Sequence, residues 1–249
     1  MPIHPKVKFK IDYKKDVKTF FAFNNEADFD DGRNLEWAIF SKYPEFKKYK
    51  RGNKLDVSQK QISKFVNSIY QKNKKIIDSN FYLYKKNWLK LEKKYFYLVD
   101  DLFDNYKWPE GKYVTYPTIW GMYPRFLEDK TFQIPFKDKK KKDINVIIAH
   151  EMLHFMFYDY FYKKYPKYKS NNYNFFVWNI SEIFNSVVQN SSGWLKIFKI
   201  KPKSYPEHEN IVKILEKIVY KNNNIKAEDL IKIILSTYVL FLRQSKIIF

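Results

Sequence analysis

The stretch Val146-Ile147-Ile148-Ala149-His150-Glu151-Met152-Leu153-His154-Phe155-Met156-Phe157 decides how this chain is read. It holds no glycine or proline, so nothing in it interrupts a helix. Residues four apart share a helical face, which sets the imidazoles of His150 and His154 side by side, within reach of one metal ion. Glu151 lies about 100° round the same helix, too far round for a third ligand. It is well placed to accept a proton from a water on that ion. Neutral imidazoles, one further protein ligand and an open position describe zinc best. Outside the motif every residue from Ile144 to Tyr158 is uncharged and most are apolar. Core packing alone does not tolerate two histidines and a glutamate on a buried helix.

A third ligand is expected further along the chain. In Trp178-Asn179-Ile180-Ser181-Glu182-Ile183-Phe184-Asn185-Ser186, helical spacing collects Asn179, Glu182, Asn185, Ser186 and Gln189 into one polar stripe. Phe175, Phe176, Val177, Ile180, Ile183, Phe184, Val187 and Val188 make the rest of that helix apolar. A carboxylate centred in such a stripe needs a cationic partner, and a metal at His150 and His154 supplies one. The 27 residues between His154 and Glu182 suffice to finish one helix, turn near Pro166 and return. His208 and Asp159 are rival ligands, although Asp159 falls well round the helix from the histidines. A buried salt bridge to a lysine is the alternative role for Glu182.

The HExxH motif with its apolar flanks resembles the active-site helix of the zincin metallopeptidases. The metzincin branch does not fit, because Phe157 and Tyr160 stand where a glycine and a third His or Asp are required. The gluzincin branch, with a Glu from a later helix, is the closer likeness. That resemblance implies one zinc per chain held by His150, His154 and Glu182, with Glu151 as general base and a peptide or protein as substrate. It also implies a downstream Tyr or His that stabilises the transition state, for which Tyr205 and His208 are the candidates. An edge strand that pairs with extended substrate is implied as well, and Thr131–Phe136 with Pro135 is in the expected place. Ser186 departs from the pattern, since some gluzincins have an Asp there to orient the first His; Asn179, Asn185 or Ser186 is left to do so.

Composition mainly excludes. The chain has 249 residues, five of them glycine and none cysteine. No GxG or GxxxxGK arrangement occurs, which removes dinucleotide and P-loop fingerprints. Without cysteine there are no disulfides, thiolate nucleophiles or Cys-based metal sites. Lys and Arg number 47 against 27 Asp and Glu, a formal charge of +20. That charge suggests nucleic acid, and a basic nucleic-acid-binding protein or a non-catalytic zincin-fold protein is the alternative to a hydrolase. The lysines are spread along the chain, however, beside many Asn, Ile, Phe and Tyr, as a compositional bias would leave them. Aromatic residues interleaved with lysine from Tyr82 to Tyr97 read as a core face with snorkelling lysines. Asp28-Phe29-Asp30-Asp31-Gly32 does not align with a calcium loop. The N-terminal residues lack the apolar run of a signal peptide and no segment is long enough to span a membrane, so a cytoplasmic location is expected.

The pattern predicts an α+β fold, mostly helical, zincin-like, with a small central sheet ahead of the HExxH helix and a Glu-bearing second helix. Strands are expected at residues 7–11, 112–119 and 131–136. Helices are expected at 34–43, 58–74 with Ser58 as cap, 79–105, 143–162 with Asp143 as cap, 174–190, 208–221 and 226–243. A helical region, 1–110, precedes a catalytic region, 111–249, the two forming one compact unit.

Overall fold

The computed structural model describes residues 3–25, 36–137, 143–219 and 225–244. Asp28–Gly32, most of the lysine run before residue 143 and the Asp143 side chain lie outside the description. Helices dominate, and the strands form a small mixed sheet and a short antiparallel hairpin, β2 (Lys50–Arg51) with β3 (Lys54–Leu55), so the protein is a mostly helical α+β structure. No helix among the described residues is long and apolar enough to cross a membrane.

Two compact units interleave along the chain. One comprises Pro5–Asn87 and Gly111–Ile144, the other Met1–His4, Trp88–Glu110 and Asn145–Phe249. The step at 110/111 is thus one of several crossings between them.

The first unit carries the sheet. Strands β1 (Lys8–Phe9), β4 (Val114–Thr118), β6 (Thr131–Pro135) and β5 (Arg125–Phe126) lie in that order, β4 parallel to both β1 and β6, with β5 antiparallel to β6. All five residues of β4 and of β6 are buried, as expected of parallel strands covered on both faces. The expectation of an edge strand at Thr131–Phe136 is corrected here: β5 pairs with Thr131 and Phe132, which makes β6 interior. A two-residue strand held by register gives no periodic signal from which to foresee this.

Helix α1 (Tyr13–Asn25) packs on α2 (Gln59–Lys72). Ser58 caps α2 as its sequence predicts, and Gln61 completes a reciprocal capping box. The 34–43 expectation emerges as a short π-helix, Glu36–Phe40, with a separate 3₁₀ turn beginning at Pro44. Trp120 lies among rings from α1, α2 and this segment, its centroid 5.3 Å from Phe20, 6.1 Å from Phe65, 5.6 Å from Tyr43 and 6.3 Å from Phe46.

At the centre of this unit is a buried carboxylate. Asp16 accepts hydrogen bonds from Ile119 N (2.9 Å), Tyr70 OH (3.0 Å) and Gln133 Nε2 (2.8 Å). Those donors come from α2, β6 and the end of β4, so one side chain ties α1 to the sheet and to its neighbouring helix. Burial pushes the Asp16 carboxyl up from 3.8 to about 6, the hydrogen bonds only partly offsetting it.

The second unit is helical. It contains the later part of α3 (Lys74–Leu102), nearly all of α4 (Asp143–Lys164), and α5 (Asn174–Gln189), α6 (Ser192–Phe198), α7 (Glu209–Val219) and α8 (Ala227–Gln244). Trp88, Tyr95, Phe157, Phe161, Phe184 and Trp194 are fully buried in it. Phe157 and Phe184 meet at 5.0 Å between ring centroids, locking α4 against α5. α6 comes close to α3 at Gly193, where an added Cβ would lie 2.8 Å from Leu98 Cδ1.

Proton counting gives the sign of the Asp16 effect. Between its unfolded and folded pKa the native state keeps a proton that the unfolded chain has released, so stability falls as pH rises through that window. Relative to Asp16→Asn, the parent protein should lose roughly 3 kcal/mol of unfolding free energy between about pH 4 and pH 6.5. Denaturant titrations of both proteins across that range would show it; parallel pH profiles would contradict it.

Candidate metal centre

The site is built from α4 and α5. Apolar side chains around most of α4 bury it, so its backbone geometry is set by its neighbours. Tyr95 OH donates to Ala149 O at 2.9 Å, and Asn185 Nδ2 donates to His150 O at 3.1 Å. A helix carbonyl already engaged by its own i+4 amide can accept a second bond through its other lone pair. These two contacts hold the turn that carries His150 from two sides. Ser181 Oγ donates to Trp178 O at 2.7 Å and accepts from Tyr158 OH at 3.2 Å two turns further along, again joining α5 to α4.

His150, His154 and Glu182 bring their ligating atoms to one point, all within 4.8 Å of one another. His150 Nε2 and His154 Nε2 are 3.0 Å apart. Glu182 Oε2 is 3.3 Å from the former and Oε1 is 3.2 Å from the latter. Zinc bonds of about 2.0–2.1 Å arranged tetrahedrally imply donor separations of about 3.3 Å. The three donors therefore match the size and the chemistry of a zinc site. Two imidazole nitrogens facing each other across 3.0 Å with a carboxylate beside them also require a cation or a shared proton between them.

Exposure is uneven. His154 is fully buried and the Glu182 side chain nearly so, whereas 23% of the His150 side chain reaches solvent. Access to the cluster is therefore from the His150 side. Glu151 is buried, with Oε1 4.0 Å from His150 Nε2, next to the cluster without belonging to it. Burial alone would raise the Glu182 carboxyl. The two imidazoles, by charge and hydrogen bonding, hold it well below the ordinary carboxylate value.

The rival ligands lie elsewhere. Asp159 accepts a hydrogen bond from Tyr106 OH at 2.8 Å. His208 Nε2 is 2.7 Å from Asn179 Oδ1. Asn179 Nδ2 donates to Phe175 O, which fixes the amide with its oxygen toward His208. His208 Nε2 is therefore the donor of that pair. Burial pushes the His208 pKa down, against the upward pull of Glu207 and Glu182. Tyr205 packs edge-on against Trp178, 5.4 Å between ring centroids, and 5.8 Å from His208.

Sequence reasoning proposed Asn179, Asn185 or Ser186 to orient the first histidine. Asn185 reaches the backbone of His150, and Asn179 reaches His208. The contact to the His150 ring comes instead from Gln189, whose Oε1 is 3.3 Å from Nδ1. Its place at i+7 from Glu182 in the polar stripe is the signal that could have found it. No family model, curated protein or solved structure matches this chain.

Zinc bound at this cluster should stabilise the fold by about 4 kcal/mol at free metal a thousandfold above its dissociation constant. His154→Ala and Glu182→Ala should lose that increment. Chemical denaturation with and without zinc measures it; an equal gain in all three proteins would place zinc elsewhere.

Proposed function

We propose that this protein is a zinc-dependent hydrolase of gluzincin type, a cytoplasmic peptidase that cleaves amide bonds in a peptide or protein. One zinc ion per chain is held by His150, His154 and Glu182. The observation that carries this reading is the convergence of two imidazole nitrogens and a carboxylate at 3.0–3.3 Å, with a second carboxylate next to them. The resemblance of the HExxH stretch to zincins supports the same chemistry.

When bound, zinc supplies an acidified water and a polarised substrate carbonyl. The chain's own residues divide the remaining work. His150 and His154 donate their Nε2 lone pairs, and Glu182 contributes the negative charge that makes the site selective for a cation. Glu151 is the general base. Its carboxylate takes a proton from the attacking water as the new C–O bond forms, then gives that proton to the leaving amine as the C–N bond breaks. The carboxylate is regenerated and the products are a carboxylic acid and an amine. The partial exposure of His150 gives the substrate its side of approach.

Glu151→Gln keeps the shape and hydrogen-bonding reach of the side chain but cannot accept the proton. Hydrolysis of a mixed peptide library, followed by mass spectrometry, should slow by about 10²–10⁴-fold, with zinc retained at one per chain. A fully active variant would contradict the role of Glu151. Zinc lost together with activity would contradict the division between base and ligands.

A further inference from the structure

We infer that Gln189 is the positioning residue for His150, fixing the ring so that Nε2 presents its lone pair to the metal. The inference rests on the zinc reading above and extends it to a residue outside the ligand set.

A neutral imidazole that ligates through Nε2 carries its proton on Nδ1, and that proton needs an acceptor in a buried setting. Gln189 Oε1, 3.3 Å from His150 Nδ1, is that acceptor. Gln189 is 3% exposed, so bulk water does not compete for the contact. The amide has two orientations, and only one suits ligation. With Oε1 toward the ring, Nδ1–H donates; with Nε2 toward the ring, Nδ1 would have to be the acceptor and the proton would sit on Nε2, where the metal binds. The orientation that leaves Gln189 Nε2 without a hydrogen-bond partner is the one present.

Helix geometry makes the glutamine available, because position 189 is two turns beyond Glu182 on the same face of α5.

The test compares the parent with Gln189→Met, which keeps the volume and removes the acceptor, and with Gln189→Glu, which restores an acceptor oxygen. Zinc dissociation constants come from competition with a chelator. The exchange rate of the His150 ring proton in the zinc-loaded protein comes from NMR of ¹⁵N-histidine-labelled samples. Gln189→Met should bind zinc about 10–100-fold more weakly and its Nδ1 proton should exchange faster. Gln189→Glu should recover most of the affinity and the slow exchange. Equal affinities and equal exchange in all three would overturn the inference and leave the zinc site standing. Equal weakening in both variants, with the ring proton unchanged, would reduce Gln189 to packing and also overturn it. A parent protein that binds no zinc at His150 and His154 would overturn the metal reading and this inference with it.

Discussion

Everything in the helical unit that bears on chemistry depends on how the Glu182 carboxylate is neutralised. It is buried on a helix whose other faces are apolar, within 3.3 Å of the His150 and His154 imidazoles, which are cationic only when protonated. Such a cluster is tolerable in a protein interior either with protons shared among its members or with a metal ion at its centre. The second arrangement satisfies all three donors at once, at separations that zinc requires.

Holding three donors to within a few tenths of an ångström needs rigid surroundings, and the fold supplies them by pinning the backbone as well as the side chains. Tyr95 and Asn185 bond consecutive carbonyls, those of Ala149 and His150, from different helices. Phe157 against Phe184 fixes the spacing of α4 and α5 one to two turns away. A metal site on two packed helices is more exactly placed than one on loops. The sheet-bearing unit has its own polar centre in Asp16, fully supplied with donors, and this one serves architecture: its neighbours are a tyrosine, a glutamine and a backbone amide.

Much of the fold was readable from sequence, and the limits have physical causes. Long helices such as residues 143–164 and 174–189 follow from apolar-rich runs with no glycine or proline, and α2 from its capping box. The residues singled out from spacing, His150, His154 and Glu182, are the ones brought together, because helical periodicity fixes which side chains share a face. Helix α1 was not expected: Tyr13–Asn25 has its lysines in the first half and its phenylalanines in the second, a weak local signal, and its place depends on Asp16 reaching residues a hundred positions away. The seven-residue α6 is too short to show a helical period, and its Gly193 allows close approach to Leu98. The contact of Gln189 with His150 spans 39 positions and depends on how two helices pack.

X-ray absorption at the zinc edge of the purified protein would examine the cluster directly. Two imidazole nitrogens and a carboxylate oxygen at about 2.0–2.1 Å, with one further oxygen from solvent, is the coordination that His150, His154 and Glu182 require, and the imidazole scattering should halve in His154→Ala. A shell of oxygens alone, or a spectrum unchanged by that substitution, would show that the cluster is not a zinc site.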